Sequence, residues 1–367
     1  MNLLIFSRYL NTQASTRMRF NLFEPALLAS GFQVSIFPII AEFTIGGKVN
    51  SFLSALNLLK SRINSIINVQ RKLANTPPDT LIHVHLEFFP WIPYWLEKLL
   101  LSLAEKKHFS VELDDAWFHR YDNHSLRIVR WVLGKKIDKV MRDATCVIAG
   151  NAYIANRARA AGAKCVEIVP TVVDTDKYKI AKPNFTEFQN EALNTLPVIG
   201  WIGSPSTTKF LLTIEQAIHT LNNKQIARFV AFGADANQLM GLPITVIPWN
   251  ENAEISTLYG FDIGIMPLAD SMFERGKCGY KLIQYMACGL PVVASPVGVN
   301  IELVHNNESG YLAKNADEWV HYLTLLCQDE VLRNKFGNIG LQHAIDNYSL
   351  KVTAPKVVAI FKSLACK

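Results

Sequence analysis

The sequence has no CxxC pair and no cysteine–histidine cluster at zinc spacing. Its six cysteines, at 146, 165, 278, 288, 327 and 366, are scattered. That argues against a disulfide framework and a zinc module, and suits a reducing cytoplasm. No apolar stretch reaches the roughly 18 residues that a membrane-spanning helix needs. The opening apolar run is only Leu3–Phe6, with no basic segment before it, so the start does not read as a secretory signal. Internal repeats and low-complexity tracts are missing, and no glycine precedes Gly31. Charged residues are only 19% of the chain while apolar residues are 50%, which excludes a disordered chain or a coiled coil.

What is present is enough for two packed cores. A length of 367 residues suggests two domains. The net charge of +6 is unevenly spread. Residues 1–180 carry 23 basic and 15 acidic side chains, and residues 181–367 carry 14 and 16. One basic half beside a nearly neutral half suggests that one domain faces something anionic.

Short apolar runs alternate with helical patterns. LLIFS (3–7), QVSIFPI after Gly31, LIHVH (81–85), FSVEL (109–113), ATCVIAG (144–150) and CVEIVP (165–170) read as strands. Phe20–Ser30 reads as a helix. The pattern fails around 178–197, a polar stretch read as a linker, and restarts with VIGWIG (198–203). A helix over Phe210–Leu221 follows, then strands RFVAFG (228–233), ITVIPW (244–249) and FDIGIMPL (261–268). The helix Tyr280–Cys288, the strand PVVAS (291–295) and closing helices, the last over Lys351–Leu364, complete the chain. Strands separated by helices predict parallel sheets. The expected architecture is α/β: two doubly wound, Rossmann-like domains, 1–180 and 181–350, facing a central cleft. A terminal helix, 351–367, is expected to pack back on the first domain. Ligands of such sheets bind at the carboxyl ends of the strands, so the residues just after each strand are the candidates.

The richest segment is FERGKCGYKLIQYMACGLPVVASPVGVNIELV (273–304). Arg275, Gly276, Lys277 and Gly279 stand before a helix, whose N-terminus attracts anions. Lys281 adds charge one turn after Lys277. A pyrophosphate suits this pattern; the plain alternative is a solvated basic loop.

KLIQYMACGLPVVASPVGVNIELV with the later GYL resembles the C-terminal signature of family 4 of the GT-B glycosyltransferases. VIGWIGSPSTTKFLL (198–212) resembles the first strand and loop of their nucleotide-binding domain. SRYLNTQASTRMRF, HVHLEFFP, ELDDAWF, IAGNAYIA and VPTVVDTDKY resemble a bacterial branch found among surface-polysaccharide enzymes. The resemblance implies a hexosyl transfer with retained anomeric configuration from a UDP- or GDP-linked sugar, without a required metal or other cofactor. It places the nucleotide on the C-terminal domain and a glycan or polyprenyl-linked acceptor on the N-terminal one.

Many members of that family carry two glutamates with seven residues between them. Here the second position is Gln284, the first is Gly276, and Glu274 lies out of register; Glu274 or Lys277 is then the candidate for contact with the donor. Related enzymes place an arginine at the position of Ser204 and a lysine at that of Lys209, and only the lysine is kept. Gly203 and Ser204 are expected at phosphate, with the burden shifted to Lys277 and Lys281. Gly233, Pro248 and Trp249 end later strands and are expected at the base, although Trp249 equally suits a core. Gly298, Val299 and Asn300 are expected near the diphosphate, and Glu302 at a ribose or a helix cap.

In the first half, Asp114 takes a place where related enzymes often carry a histidine near the transferred sugar. Asp114 and Asp115 admit three readings: a site role at the acceptor or donor sugar, the metal motif of a single-domain transferase, or helix capping. The restart of alternation after 197 disfavours the second. His83, His85 and Glu87 form only a weak metal pattern, and Glu87 is expected to face the acceptor. Arg17 and Arg19 follow the first strand and are read on the acceptor side; the resemblance also implies a loop here that approaches the donor, a task that Ser15, Thr16 and Arg17 would do through side chains.

Residues 43–78 hold no Asp or Glu but contain Lys48, Lys60, Arg62, Arg71 and Lys72. Val49, Phe52, Leu53, Leu56, Leu59, Ile63, Ile66 and Ile67 fall at helical spacing. This predicts a basic amphipathic helix, suited either to an anionic membrane surface or to packing on the first sheet. Phe88, Phe89, Trp91, Tyr94 and Trp95 form an aromatic cluster that either binds acceptor or packs. The expected location is cytoplasmic, with a peripheral position on the inner face of the membrane as the alternative. A nucleotide-sugar epimerase and a non-catalytic sugar- or membrane-binding relative are the alternatives. Nucleic acid is not an expected partner, because the second half is not basic and no such motif is evident.

Overall fold

A computed structural model of the chain describes residues 1–10, 13–40, 52–105, 108–180 and 196–366. Most of the expected linker, and Lys48 and Val49 of the basic segment, lie outside these residues.

Two parallel sheets organise the chain. The first contains β1 (Asn2–Ser7), β2 (Gln33–Pro38), β3 (Leu81–His85), β4 (Ser110–Leu113), β5 (Cys146–Ala149) and β6 (Val166–Ile168), in the order β2-β1-β3-β4-β5-β6. The second contains β7 (Val198–Ile202), β8 (Arg228–Phe232), β9 (Ile244–Ile247), β10 (Ile263–Met266), β11 (Val292–Ala294) and β12 (Gly310–Leu312), in the order β12-β11-β10-β7-β8-β9. Each sheet reverses its winding once, between β1 and β3 in the first and between β7 and β10 in the second. Those two points are where a doubly wound sheet opens a ligand crevice at its carboxyl edge.

The sequence explains the strands. β1 is buried along Leu3–Ser7, as a central parallel strand covered on both faces must be. In β7, Val198 and Ile202 join one core of the second sheet while Ile199 and Trp201 join another. The period of two thus fills both faces from one continuous apolar run. Each large buried side chain of this kind contributes about 1.5–3 kcal/mol.

Several helices start on side-chain caps. Asn151 accepts from the Ile154 N–H, Asn315 from Glu318 and Asp329 from Leu332. The expected helix over Phe20–Ser30 is split into a π-helical turn, Arg17–Asn21, and a helix, Glu24–Ala29. The expected helix Phe210–Leu221 begins earlier, as a 3-10 segment from Pro205 to Ile214, and becomes α-helical over Glu215–Asn223. The basic helix runs over Phe52–Ala74. No helix among the described residues is long and apolar enough to cross a membrane.

Contacts divide the chain into two compact units. One holds residues 1–171, 276–278 and 353–367, and the other holds 172–275 and 279–352. The last helix, Leu350–Ala365, therefore gives its later turns to the first unit. There Phe361 meets His83 edge-on, with ring centres 5.1 Å apart, and Phe32 at 6.4 Å.

Candidate functional site

In the first unit, the carboxyl ends of β1, β3 and β4 gather ionisable groups. Parallel pairing brings His85 beside Glu112. The next residues then place His85 Nε2 3.0 Å from Asp114 Oδ1. Burial pushes the Asp114 carboxyl up, but His85, helped by Arg19, overrides this and holds it at about 2. Asp115 is different. Burial, with repulsion from Asp114, pushes it up to about 6, against the pull of Lys277 and His85. Two adjacent carboxyls are thus set apart, one firmly ionised and one poised near neutrality.

The tripeptide Gly276–Cys278 belongs to this unit by its contacts. The Asn151 side-chain amide donates to the Gly276 carbonyl at 2.8 Å and to that of Lys277 at 3.2 Å. The Cys278 thiol donates to the Asp114 carbonyl. A Cβ on Gly276 would collide with Ala116, so only glycine lets this backbone approach so closely. Burial, with the nearby Asp115, pushes the Cys278 thiol up to about 12, which keeps it protonated and un-nucleophilic.

Arg19 and Glu87 are interior residues. Arg19 is ion-paired with Glu112 and donates to the Val169 carbonyl at 2.9 Å. His83 Nε2 lies 3.0 Å from the other Glu112 oxygen. Glu87 pairs with Arg8 at 2.9 Å and Lys136 at 2.6 Å, and accepts from the Tyr121 hydroxyl at 2.9 Å. Lys136 also meets Glu97 at 2.8 Å. Arg17 and Ser15 are half-buried, and the Thr16 hydroxyl donates to the Tyr9 carbonyl. Phe88, Phe89 and Tyr94 are buried core residues, whereas Trp95 is exposed. Arg8, Glu97 and Lys136 escaped the sequence reading. Arg8 had a usable signal, because it directly follows β1.

In the second unit, Lys281 extends over Trp201, 4.0 Å from the ring centre, and its ammonium lies close to Gly203. Gly203 follows β7 at the winding reversal. Ser204 is exposed and forms a reciprocal capping box with Thr207. Lys209 is exposed, with its ammonium 5.2 Å from the Phe210 ring centre. Gly233, after β8, backs onto the Gly203 carbonyl. Trp249 is 42% exposed and donates its indole N–H to Glu254 at 2.9 Å. Glu254 in turn accepts from the Gln284 amide at 2.6 Å, and Gln284, only 2% exposed, also donates to the Tyr178 hydroxyl at 3.2 Å. Glu254 was not singled out from the sequence, which holds no motif around it.

The remaining candidates fall into two groups. Glu274 is bonded to Ser271, and Arg275 to Asp270 at 2.6 and 2.9 Å on the surface. Gly298 packs on the Arg275 carbonyl, Val299 is half-buried, and Asn300 is buried and donates to the Ser295 carbonyl at 3.0 Å. Glu302 is exposed.

Comparison with known proteins adds three findings. Residues 196–329 match the protein family described as glycosyl transferases group 1. A 73-residue stretch is 30% identical to "Glucosyltransferase 3" of Streptococcus parasanguinis, covering 20% of this chain but only 22% of that protein. Nearly the whole chain superposes on solved structures. HepE of Anabaena, crystallised with UDP, matches with a TM-score of 0.70 at 13% identity, over 99% of this chain and 100% of that one. Sucrose-phosphate synthase from Thermosynechococcus elongatus matches with 0.67 at 15%, over 99% and 98%. An alpha,alpha-trehalose-phosphate synthase (UDP-forming) from Burkholderia vietnamiensis matches with 0.66 at 13%, over 100% of both. The chain has the GT-B fold, and its likeness to group 1 glycosyl transferases lies in residues 196–329.

Proposed function

We propose that the chain transfers a hexosyl unit from a nucleotide-sugar to a glycan or lipid-linked acceptor. The transfer retains anomeric configuration, needs no metal, and belongs to family 4 chemistry in bacterial surface-polysaccharide assembly. The observation that carries this reading is the placement of Lys281 over Trp201 beside Gly203, at the winding reversal of the second sheet. An ammonium and a glycine backbone at that edge suit a diphosphate. The matched family segment contains all three residues.

In this reading Lys281 neutralises the leaving diphosphate, and Lys209 and the Gly203–Ser204 backbone add to it. Trp249 offers its exposed face to the base, held at its indole N–H by Glu254. HepE was crystallised with UDP, which favours a uridine nucleotide among the candidates. In the first unit, Asp114 and Asp115 orient the acceptor hydroxyl or stabilise positive charge on the donor sugar. Exposed Lys60, Arg62, Ile63 and Ile67 support a peripheral membrane position.

Thermal-shift measurements with UDP, GDP, ADP and TDP test the donor, and proton NMR of the product tests the stereochemistry. A shift with one nucleotide and a retained anomer are expected. No shift with any of the four removes the donor site, and an inverted product removes the retaining mechanism.

A further inference from the structure

We infer that the helix Arg127–Leu133 docks on an anionic lipid surface, with Trp131 inserted among the headgroups and Arg127 at their phosphates. The inference rests on the peripheral position in the transferase reading and deepens it, by naming the lipid charge and the anchoring side chains.

The helix reads RIVRWVL. Val129 and Leu133 turn inward and pack on the core of the first unit. Helical periodicity then puts Arg127, Ile128 and Trp131 on the outward side. Trp131 is 83% exposed and Ile128 60%, and Leu126 and Val132 beside them are exposed as well. Folding gains little from Trp131 or Ile128, because both stay in water. Clustered apolar side chains of this kind mark an interaction surface.

The patch continues onto two neighbouring helices. The His124 ring accepts from the Leu126 N–H at 3.1 Å and meets Trp91 edge-on, with ring centres 5.7 Å apart. The Arg62 guanidinium lies 5.7 Å from the centre of the same Trp91 ring. These contacts tie Arg127–Leu133 to the basic helix Phe52–Ala74, where Ile63 and Ile67 are exposed. The helix Tyr94–Leu103 joins that basic helix through the Gln70 amide, which donates to the Leu100 carbonyl at 2.9 Å, and it exposes Trp95 and Leu99.

Charge decides the partner. In these three helices every exposed ionisable side chain among the described residues is a cation: Lys60, Arg62, Arg71, Lys98 and Arg127. Their one carboxylate, Glu97, is buried against Lys136. The carboxylates around them are engaged. Asp122 and Asp138 meet Arg157, Asp143 meets Lys98 and Arg142, Asp114 meets His85, and Asp115 acts on Lys277 and Arg120. Asp79 and Glu105 are exposed, but they follow the C-terminal ends of their helices. A helix between parallel strands returns to the amino edge, so both stand away from Arg127–Leu133, which follows β4 at the carboxyl edge. Exposed indoles among cations of a single sign suit a phospholipid surface, where the ring sits at headgroup level and the guanidinium meets phosphate. The same edge carries Asp114 and Asp115, so a lipid-linked acceptor would arrive beside them.

Co-sedimentation of the full chain with vesicles tests this, using phosphatidylcholine alone and an equimolar mixture of phosphatidylcholine and phosphatidylglycerol. Binding is expected to the mixed vesicles only. Trp131→Ser and Arg127→Glu are each expected to weaken it about tenfold. Both positions are exposed, so both variants should fold. Val331→Ser, at an exposed apolar position of the second unit, is expected to bind as the unaltered chain does. Binding undiminished in either Trp131→Ser or Arg127→Glu overturns the inference, as does an equal loss in Val331→Ser. Binding to both vesicle types alike, or to neither, overturns it too. A dimer seen by sedimentation velocity without vesicles, and lost in Trp131→Ser, names a second copy of the chain as the occupant instead. If the mixed vesicles bind as expected but no nucleotide-sugar is turned over, the docking surface stands and the transferase reading falls. If transfer occurs and no vesicle binds, the reverse is true.

Discussion

Gln284 donates its side-chain amide to Glu254 across 2.6 Å inside the second unit. The bond needs an amide at this position, because a glutamate has no N–H to give to Glu254 when ionised. Glu254 is already buried there and also accepts from Trp249. Gln284→Glu would set two carboxyls face to face, raising the pKa of at least one of them in the folded state. A raised carboxyl pKa leaves stability intact below the ordinary carboxylate range and removes it as pH rises through the raised value. We expect Gln284→Glu to cost about 2–4 kcal/mol at pH 7 and much less near pH 4. Urea unfolding at the two pH values checks this, and equal losses at both would contradict it.

Asp115 predicts a pH profile. Its carboxyl, pushed up to about 6, must be ionised to accept a proton or stabilise positive charge. Transferase activity should therefore rise with pH along a limb centred near 6. Lys277 lowers this pKa, so Lys277→Ala should move the limb upward. A limb that stays in place in Lys277→Ala would exclude Asp115 as its source.

Lys136 predicts a stability loss. Its ammonium is fully buried between Glu87 and Glu97, at 2.6 and 2.8 Å. Lys136→Met leaves both carboxyls without it, at a cost of about 3–5 kcal/mol. Adding Glu97→Gln should recover part of the loss, because Arg8 and Tyr121 still hold Glu87. A double variant no more stable than the single one would show that Glu97 carries no burden there.

Lys281 predicts a binding loss. Lys281→Ala should weaken nucleotide affinity about tenfold by calorimetry, while the unfolding temperature without nucleotide falls by only a few degrees. Unchanged affinity would remove Lys281 from the proposed diphosphate site.

Eleven strands stand where the sequence predicts them, because each is a short apolar run beside a turn or a helical pattern. β12 was harder. Gly310–Leu312 is three residues long, and its glycine is buried against β11. The helix Phe210–Leu221 was legible, but its 3-10 beginning depends on the Ser204–Thr207 capping box and Pro205. Asp114 and Asp115 could be found from their place after a strand. Their opposite pKa directions could not, because these depend on His85 from the adjacent strand and on Lys277, far along the chain. Gly276–Cys278 reads in sequence as part of one loop with Arg275 and Gly279, and only its contacts with Asn151, Asp114 and Ala116 show otherwise. Glu254 had no local signature, since its partners are set by tertiary packing.

The helix Leu350–Ala365 gives the first unit an unusual place in time. Phe32 and His83 are made before the second unit, but their partner Phe361 is made after it. A growing chain that stops at residue 171 lacks that covering and the Gly276–Cys278 segment as well. The first unit thus waits, incomplete, while the second is translated, although domains generally fold in order of synthesis. A premature stop before residue 353 would spare most of the second unit and leave the earlier one uncovered. Expression of residues 1–171 alone should accordingly give an aggregation-prone protein, even though all six strands of its sheet are present.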